Sequence, residues 1–195
     1  SDAVRSAIKA ANRKNVPVVT LDRGANGGKV ASHVASDNVL GGVMAGDLII
    51  NKLGGKGKVV ELQGVPGTSA ARDRGKGFHQ SIKTAPGIEI VASQAANFDR
   101  TKGLNVMENI LQAQSDIDAV VAHNDEMALV AIKAIQSAKR NILVLCFDGT
   151  EDCVKAVNDG SMLATVSPQS GKIGSADVAD ELQIFSGSLV GSCTA

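Results

Sequence analysis

The chain has no tryptophan and no tyrosine, and only four phenylalanines among its 195 residues. Any stacking surface for a cyclic ligand must therefore come from those few rings or from outside the chain. It also has no basic tract and no block of like charge, because 20 Lys and Arg balance 20 Asp and Glu. That balance argues against nucleic acid or an anionic membrane surface as partner. No apolar run approaches the ~20 residues of a membrane-spanning helix, so no direct membrane insertion is expected. No signal-peptide pattern opens the chain, since Ser1-Asp2-Ala3-Val4 already begins a helical periodicity. The three cysteines, Cys146, Cys153 and Cys193, lack metal-ligand spacing. They read as small buried apolar residues, Cys146 in a strand and Cys153 in the next helix. His33, His79 and His123 fall on separate elements with no pair at ligand spacing, so no metal is expected. No nucleophile–base pairing and no helix with paired carboxylates stands out. Neither catalysis nor a cofactor is expected.

What the chain does have is a 44% hydrophobic composition, enough for a core, and a repeated pattern. Five times an apolar run stops at a short loop bearing polar or aromatic residues, and a helical pattern follows. The runs are Val59–Gln63, Ile88–Ser93, Ala119–Ala122, Leu143–Phe147 and Ala164–Val166. Strands alternating with helices of ten or more residues predict an α/β fold with a doubly wound parallel sheet, helices on both faces. A further strand is expected over Val16–Leu21, a short one over Val30–Ala35, and a last helix from Ile173 to about Phe185. Asp37 or Ser36, Thr68 or Ser69, Asp99, Asp125 and Thr150 are the expected helix starts.

In such a sheet, ligands bind beyond the carboxyl ends of the strands. Asp22-Arg23 closes Val16–Leu21 and offers acceptors beside planar donors, a pairing suited to vicinal hydroxyls, or else a plain surface ion pair. Phe98, between Asn97 and Asp99, would give a face for a sugar's C–H groups, or else pack on the core. Asn124 and Asp148 follow strand ends, and if Asp125 and Thr150 cap the helices, both are free to bracket hydroxyls. Arg72 and Arg74 point different ways from one helix, so one can enter the crevice. Gly64–Ser69 lacks the spacing of a phosphate-binding loop.

Several segments carry a resemblance. Pro17–Arg23, Ala35–Gly42, Gly67–Gly75, Asn97–Arg100, Asn124–Leu129 and Phe147–Thr150 are similar, in order and spacing, to the ribose-type branch of the periplasmic sugar-binding proteins. The likeness extends to about Gly174. It implies a two-lobed, hinged fold of the type shared with lac-repressor-like regulators, closing around a pyranose sugar. The implied contacts are Asp22, Arg23, Arg74, Phe98, Asn124 and Asp148, with a hinge glutamine for which Gln169 stands one residue late and Pro168 in strict register. The implied lobes are 1–36 (part of the first), 37–168 (a complete second) and 169–195 (the hinge return and part of the first). Cys146 stands where these proteins usually carry glycine.

The function so implied is capture of D-ribose or a related monosaccharide in the periplasm, for delivery to the membrane subunits of an ABC permease. A chemoreceptor could read the same closed surface. The family's opening strands have no counterpart here and its last strands are not recognisable in Gly187–Ala195, so weak sugar binding and loosely packed ends (Ser1–Ala35, Lys172–Ala195) are expected. The alternative is the effector-binding core of a lac-repressor-type transcription regulator. Such regulators share the run at Asn124–Leu129 but tend to read Phe-Asp-Asp where this chain has Phe147-Asp148-Gly149.

Overall fold

The computed structural model describes residues 2–167 and, as backbone, two later strands, Gln183–Ser186 and Leu189–Ser192. After a 3-10 turn (Asp2–Val4) come α1 (Arg5–Arg13), β1 (Val19–Leu21), β2 (Ser32–Val34) and α2 (Asn38–Lys52). The repeating units follow: β3 (Lys56–Gln63), α3 (Ser69–Ile82), β4 (Gly87–Ala95), α4 (Arg100–Ala113) and β5 (Ala119–Ala122). Then come α5 (Asp125–Ser137), β6 (Leu143–Phe147), α6 (Glu151–Asn158), β7 (Ala164–Ser167) and the two later strands, β8 and β9. All five expected apolar runs are strands.

Helix starts follow side-chain chemistry. Asp37 Oδ1 accepts from the Leu40 N–H at 2.8 Å, Asp99 Oδ1 from Lys102 at 2.8 Å and Thr68 Oγ1 from Ala71 at 3.4 Å, each satisfying a donor that the first turn leaves unpaired. One expectation needs correcting. Asn124, not Asp125, caps α5, its Oδ1 accepting from Met127 at 3.1 Å. Asp125 is instead the first helical residue and fully buried. Thr150 holds the cap position of α6 but makes no capping bond, because its hydroxyl donates to Asp125 Oδ2 at 2.7 Å.

The seven-stranded sheet has the order β4-β3-β5-β6-β7-β8-β9. Its first five strands are parallel, while β8 runs antiparallel to β7 and β9 to β8. The antiparallel end was not anticipated: Gln183–Phe185, expected to finish a helix, lies in β8, and Leu189–Ser192 is a strand. The rest of the expected last helix, like Gln169, lies outside the described residues. β1 and β2 form a separate two-stranded parallel sheet.

Within the apolar central strands, alternate residues serve opposite faces. Val59, Val121, Leu145 and Phe147 pack with Ala45 and Ile49 of α2 and Phe78 and Ile82 of α3. Val60, Leu62, Val120, Ala122, Val144 and Cys146 pack with Met107 of α4, Met127 and Ala131 of α5 and Cys153 of α6. A fully buried side chain such as Phe78 contributes about 1.5–3 kcal/mol through area removed from water. The N-terminal segment differs. Among the described residues, the large hydrophobic side chains left exposed are Val4, Val16, Val19 and Leu21.

Candidate functional site

The parallel strands β4-β3-β5-β6-β7 run outward in both directions from β3, so the crossover direction reverses beside it. A crevice opens at the carboxyl ends of the strands at such a reversal. There Asp22, Arg23, Ala70, Arg74, Phe98, Asn124 and Asp148 line a cavity of about 160 Å³. Six of the seven residues singled out in the sequence therefore share one cavity. Ala70, which offers only a methyl group, was missed.

Arg74 organises the floor. It is buried, and its Nε donates to Asn38 Oδ1 at 2.9 Å while Nη1 donates to the His123 carbonyl at 2.5 Å and to Asp148 Oδ1 at 3.0 Å. Its guanidinium also lies 5.0 Å from the Phe147 ring centre. Nη2 takes no partner among the described residues, leaving a donor for a ligand. Arg72 turns away and pairs with Asp73, so the two arginines do diverge. Asn124 spends its oxygen on the cap, yet its amide nitrogen takes no partner among the described residues. It can donate.

Asp22 and Arg23 form a surface ion pair at the rim of the cavity. The pair is exposed and 3.8 Å apart, and both residues line the cavity. The Arg23 guanidinium sits 5.6 Å from the centre of the Phe98 ring. The Gly24 N–H donates to Ser69 Oγ at 3.0 Å, which ties this loop to the start of α3. Phe98 likewise does two things, packing on the α4–α5 core cluster and facing the cavity. Its ring lies over Gly64, where any Cβ would overlap it.

Three cavity residues hold left-handed backbone: Asp22 (φ 63°), Phe98 (φ 58°) and Asp148 (φ 115°). Such conformations cost free energy for non-glycine residues and persist where surrounding contacts enforce them. Burial raises Asp148 to about 6, although the Arg74 charge beside it pulls the value down.

Sequence reasoning also missed a network beneath the cavity. Glu61, in the middle of β3, is fully buried and accepts from His123 Nε2 (2.9 Å), Ser93 Oγ (2.5 Å), Gln63 Nε2 (3.1 Å) and His79 Nε2 (2.9 Å). Burial works to raise its pKa, but these donors outweigh it and hold the carboxylate well below its ordinary range. The Gly64 N–H donates to His123 Nδ1 at 3.3 Å, which fixes the tautomer with hydrogen on Nε2. His123 thus links Glu61 to Gly64 under Phe98, and through its carbonyl to Arg74. A glutamate inside an apolar run was the available signal.

A small polar cavity with convergent donors and acceptors, at the carboxyl ends of a doubly wound sheet, is the arrangement of a solute-binding site. The chain belongs to the periplasmic binding protein family: the family model described as a periplasmic binding protein domain matches residues 1–182. It is 53% identical over 190 residues to the ribose import binding protein RbsB of Haemophilus influenzae, covering 97% of this chain and 65% of that protein. With the protein of the same name from Escherichia coli K12 the identity is 53% over 191 residues, covering 97% of this chain and 64% of the relative. The chain therefore spans less than two thirds of the length of these relatives. Among solved structures, it resembles the arabinose ABC transporter's periplasmic binding component from Shewanella sp. ANA-3, bound to L-arabinofuranose. There the TM-score is 0.83 at 39% identity, covering 88% of this chain and 60% of the other.

Proposed function

We propose that this protein binds D-ribose, or a closely related monosaccharide, in the cavity between Asp22 and Asp148, and presents it in the periplasm to an ABC-type permease. The observation that carries the reading is the gathering of six polar and aromatic residues, from the ends of β1, β4, β5 and β6 and from α3, around one cavity. A sugar hydroxyl both donates and accepts. Asp22 and Asp148 supply acceptors; Arg23, Arg74 Nη2 and the Asn124 amide supply donors; Phe98 supplies an apolar face. Relatives named as ribose import binding proteins support the choice of ribose.

On this reading, 1–36 belongs to one lobe and 37–168 forms the other, whose sheet β8 and β9 extend, with Gln169 a further sugar contact. Closure works by population shift, since the ligand touches both lobes only when they meet. The closed surface would also be available to a chemoreceptor. A cavity of about 160 Å³ among the described residues is smaller than the ~300 Å³ of sites that bury most of a ligand. Weak ribose binding by this chain follows.

Thermal unfolding followed by far-ultraviolet circular dichroism tests the reading. Millimolar D-ribose should raise the midpoint while glucose leaves it unchanged, because a ligand that binds only the folded state stabilises it by mass action. A cooperative transition indifferent to ribose overturns it.

A further inference from the structure

Between the carboxyl end of β6 and the helices α5 and α6, three sulfur atoms and a carboxylate converge. Cys146 Sγ lies 3.9 Å from Cys153 Sγ, 3.4 Å from Met162 Sδ and 2.7 Å from Asp125 Oδ1. The ligand atoms of Asp125, Cys146 and Cys153 all fall within 4.8 Å of one another. All four residues are buried. The Asp125 carboxylate is fixed by three further donors: Thr165 Oγ1 at 3.0 Å, the Thr150 N–H at 2.7 Å and Thr150 Oγ1 at 2.7 Å. None of these groups lines the sugar cavity.

Distance and donor type together favour one use of the cluster. A disulfide needs sulfurs about 2.05 Å apart. Two thiolates at ~2.3 Å from one tetrahedral ion lie about 3.8 Å apart, close to the spacing found here. Thiolate and thioether donors select soft cations, and a carboxylate completes the set without enlarging it. The charge also balances. When a dication enters, the two thiol protons leave to solvent, so the net charge buried with the Asp125 carboxylate is unchanged. Cys146, whose sulfur contacts all three other groups, supplies the central ligand.

We propose that Asp125, Cys146 and Cys153, with Met162 as a weak fourth donor, form a buried site for a soft dication of the Zn²⁺ and Cd²⁺ class. The bound ion ties the start of α5 to β6 and to the first turn of α6. Through Thr150 it also anchors the loop that follows Asp148.

Cadmium is the probe, because its thiolate complexes absorb in the ultraviolet by charge transfer. Cys193 is first replaced by serine in the full chain, so that the two cluster thiols are the only ones present. The reduced protein is then titrated with Cd²⁺, each addition held until the absorbance is constant. We expect a band that saturates at one equivalent and a raised unfolding temperature. Cys146→Ser and Cys153→Ser should each abolish the band, and Met162→Leu should keep it with affinity lowered several-fold. Absence of the band, or its survival in either cysteine variant, overturns the proposal. Should a cysteine variant fail to fold, thiol protection in the Cys193→Ser protein decides instead. Bound Cd²⁺ must shield both thiols from an aromatic disulfide reagent, and unshielded thiols overturn the site. None of these readouts depends on sugar binding.

Discussion

Burial raises Asp148 to about 6 even though Arg74 stands 3.0 Å away, and this couples protonation to both stability and binding. Between the ordinary value of 3.8 and about 6, the folded chain holds a proton that the unfolded chain has released. Asp148's contribution is therefore full below 3.8 and is lost as pH rises through 6. Ribose should respond in the opposite sense, because the ionised carboxylate is the better hydroxyl acceptor. Calorimetric titrations at a series of pH values should show ribose affinity rising with a midpoint near 6, and Asp148→Asn should flatten the profile. Glu61 behaves in reverse. Held near 2 when folded against 4.5 otherwise, it contributes stability above 4.5 that is lost as pH falls through about 2. Its partner His123 offers a sharper test of positioning. His123→Ala leaves a buried carboxylate and the Gly64 N–H each short of a partner, at a cost of about 1–3 kcal/mol, and should weaken ribose binding. His123→Gln keeps one donor and one acceptor and should restore much of both. Equal loss in the two variants would mean that ring packing against Phe147, not hydrogen bonding, is what matters.

Helices α2 and α3 meet through glycine. A Cβ on Gly42 would overlap the Arg74 carbonyl oxygen and come within 2.7 Å of the Phe78 nitrogen, and one on Gly77 would overlap the Val39 carbonyl oxygen. Backbone cannot yield as a flexible side chain can. Gly42→Ala and Gly77→Ala should therefore each destabilise by about 1–3 kcal/mol in denaturant unfolding, as overpacked cores do. Gly42→Ala should also cost ribose affinity, since it presses on the turn that carries Arg74. This contact marks the limit of what the sequence could tell. The strands were legible because runs such as Ala119–Ala122 are apolar throughout, and most caps because Asp37, Thr68 and Asp99 precede helical periodicity. Asp125 misled because its side chain turns inward to Thr150 and Thr165, a tertiary choice that leaves capping to Asn124. Six cavity residues were found because they sit at strand ends or one turn into the following helix. The joining of His79 and His123 to Glu61 depends on contacts 18 and 62 residues apart along the chain, which no local pattern records.

Across the whole molecule, packing is uneven in a way that bears on ligand response. Residues 37–167 share two buried clusters on opposite faces of one sheet. The preceding segment buries Ile8 but leaves Val4, Val16, Val19 and Leu21 exposed, and among the described residues β1 and β2 pair only with each other. Few buried apolar contacts mean low-energy local opening, so amides before Asn38 should exchange with solvent well ahead of those in β3, β5 and β6. Asp22 and Arg23 belong to this loosely held segment, while Arg74, Asn124 and Asp148 belong to the well-packed one. A sugar that contacts both must stabilise the first against the second. Hydrogen exchange followed by mass spectrometry should therefore show D-ribose slowing exchange in peptides covering β1 and Asp22–Gly24, with little change in β3 or β5, which are already protected. Protection gained only around Asn124 and Asp148 would mean that the ligand rests on one wall of the cavity and that Asp22 and Arg23 take no part in holding it.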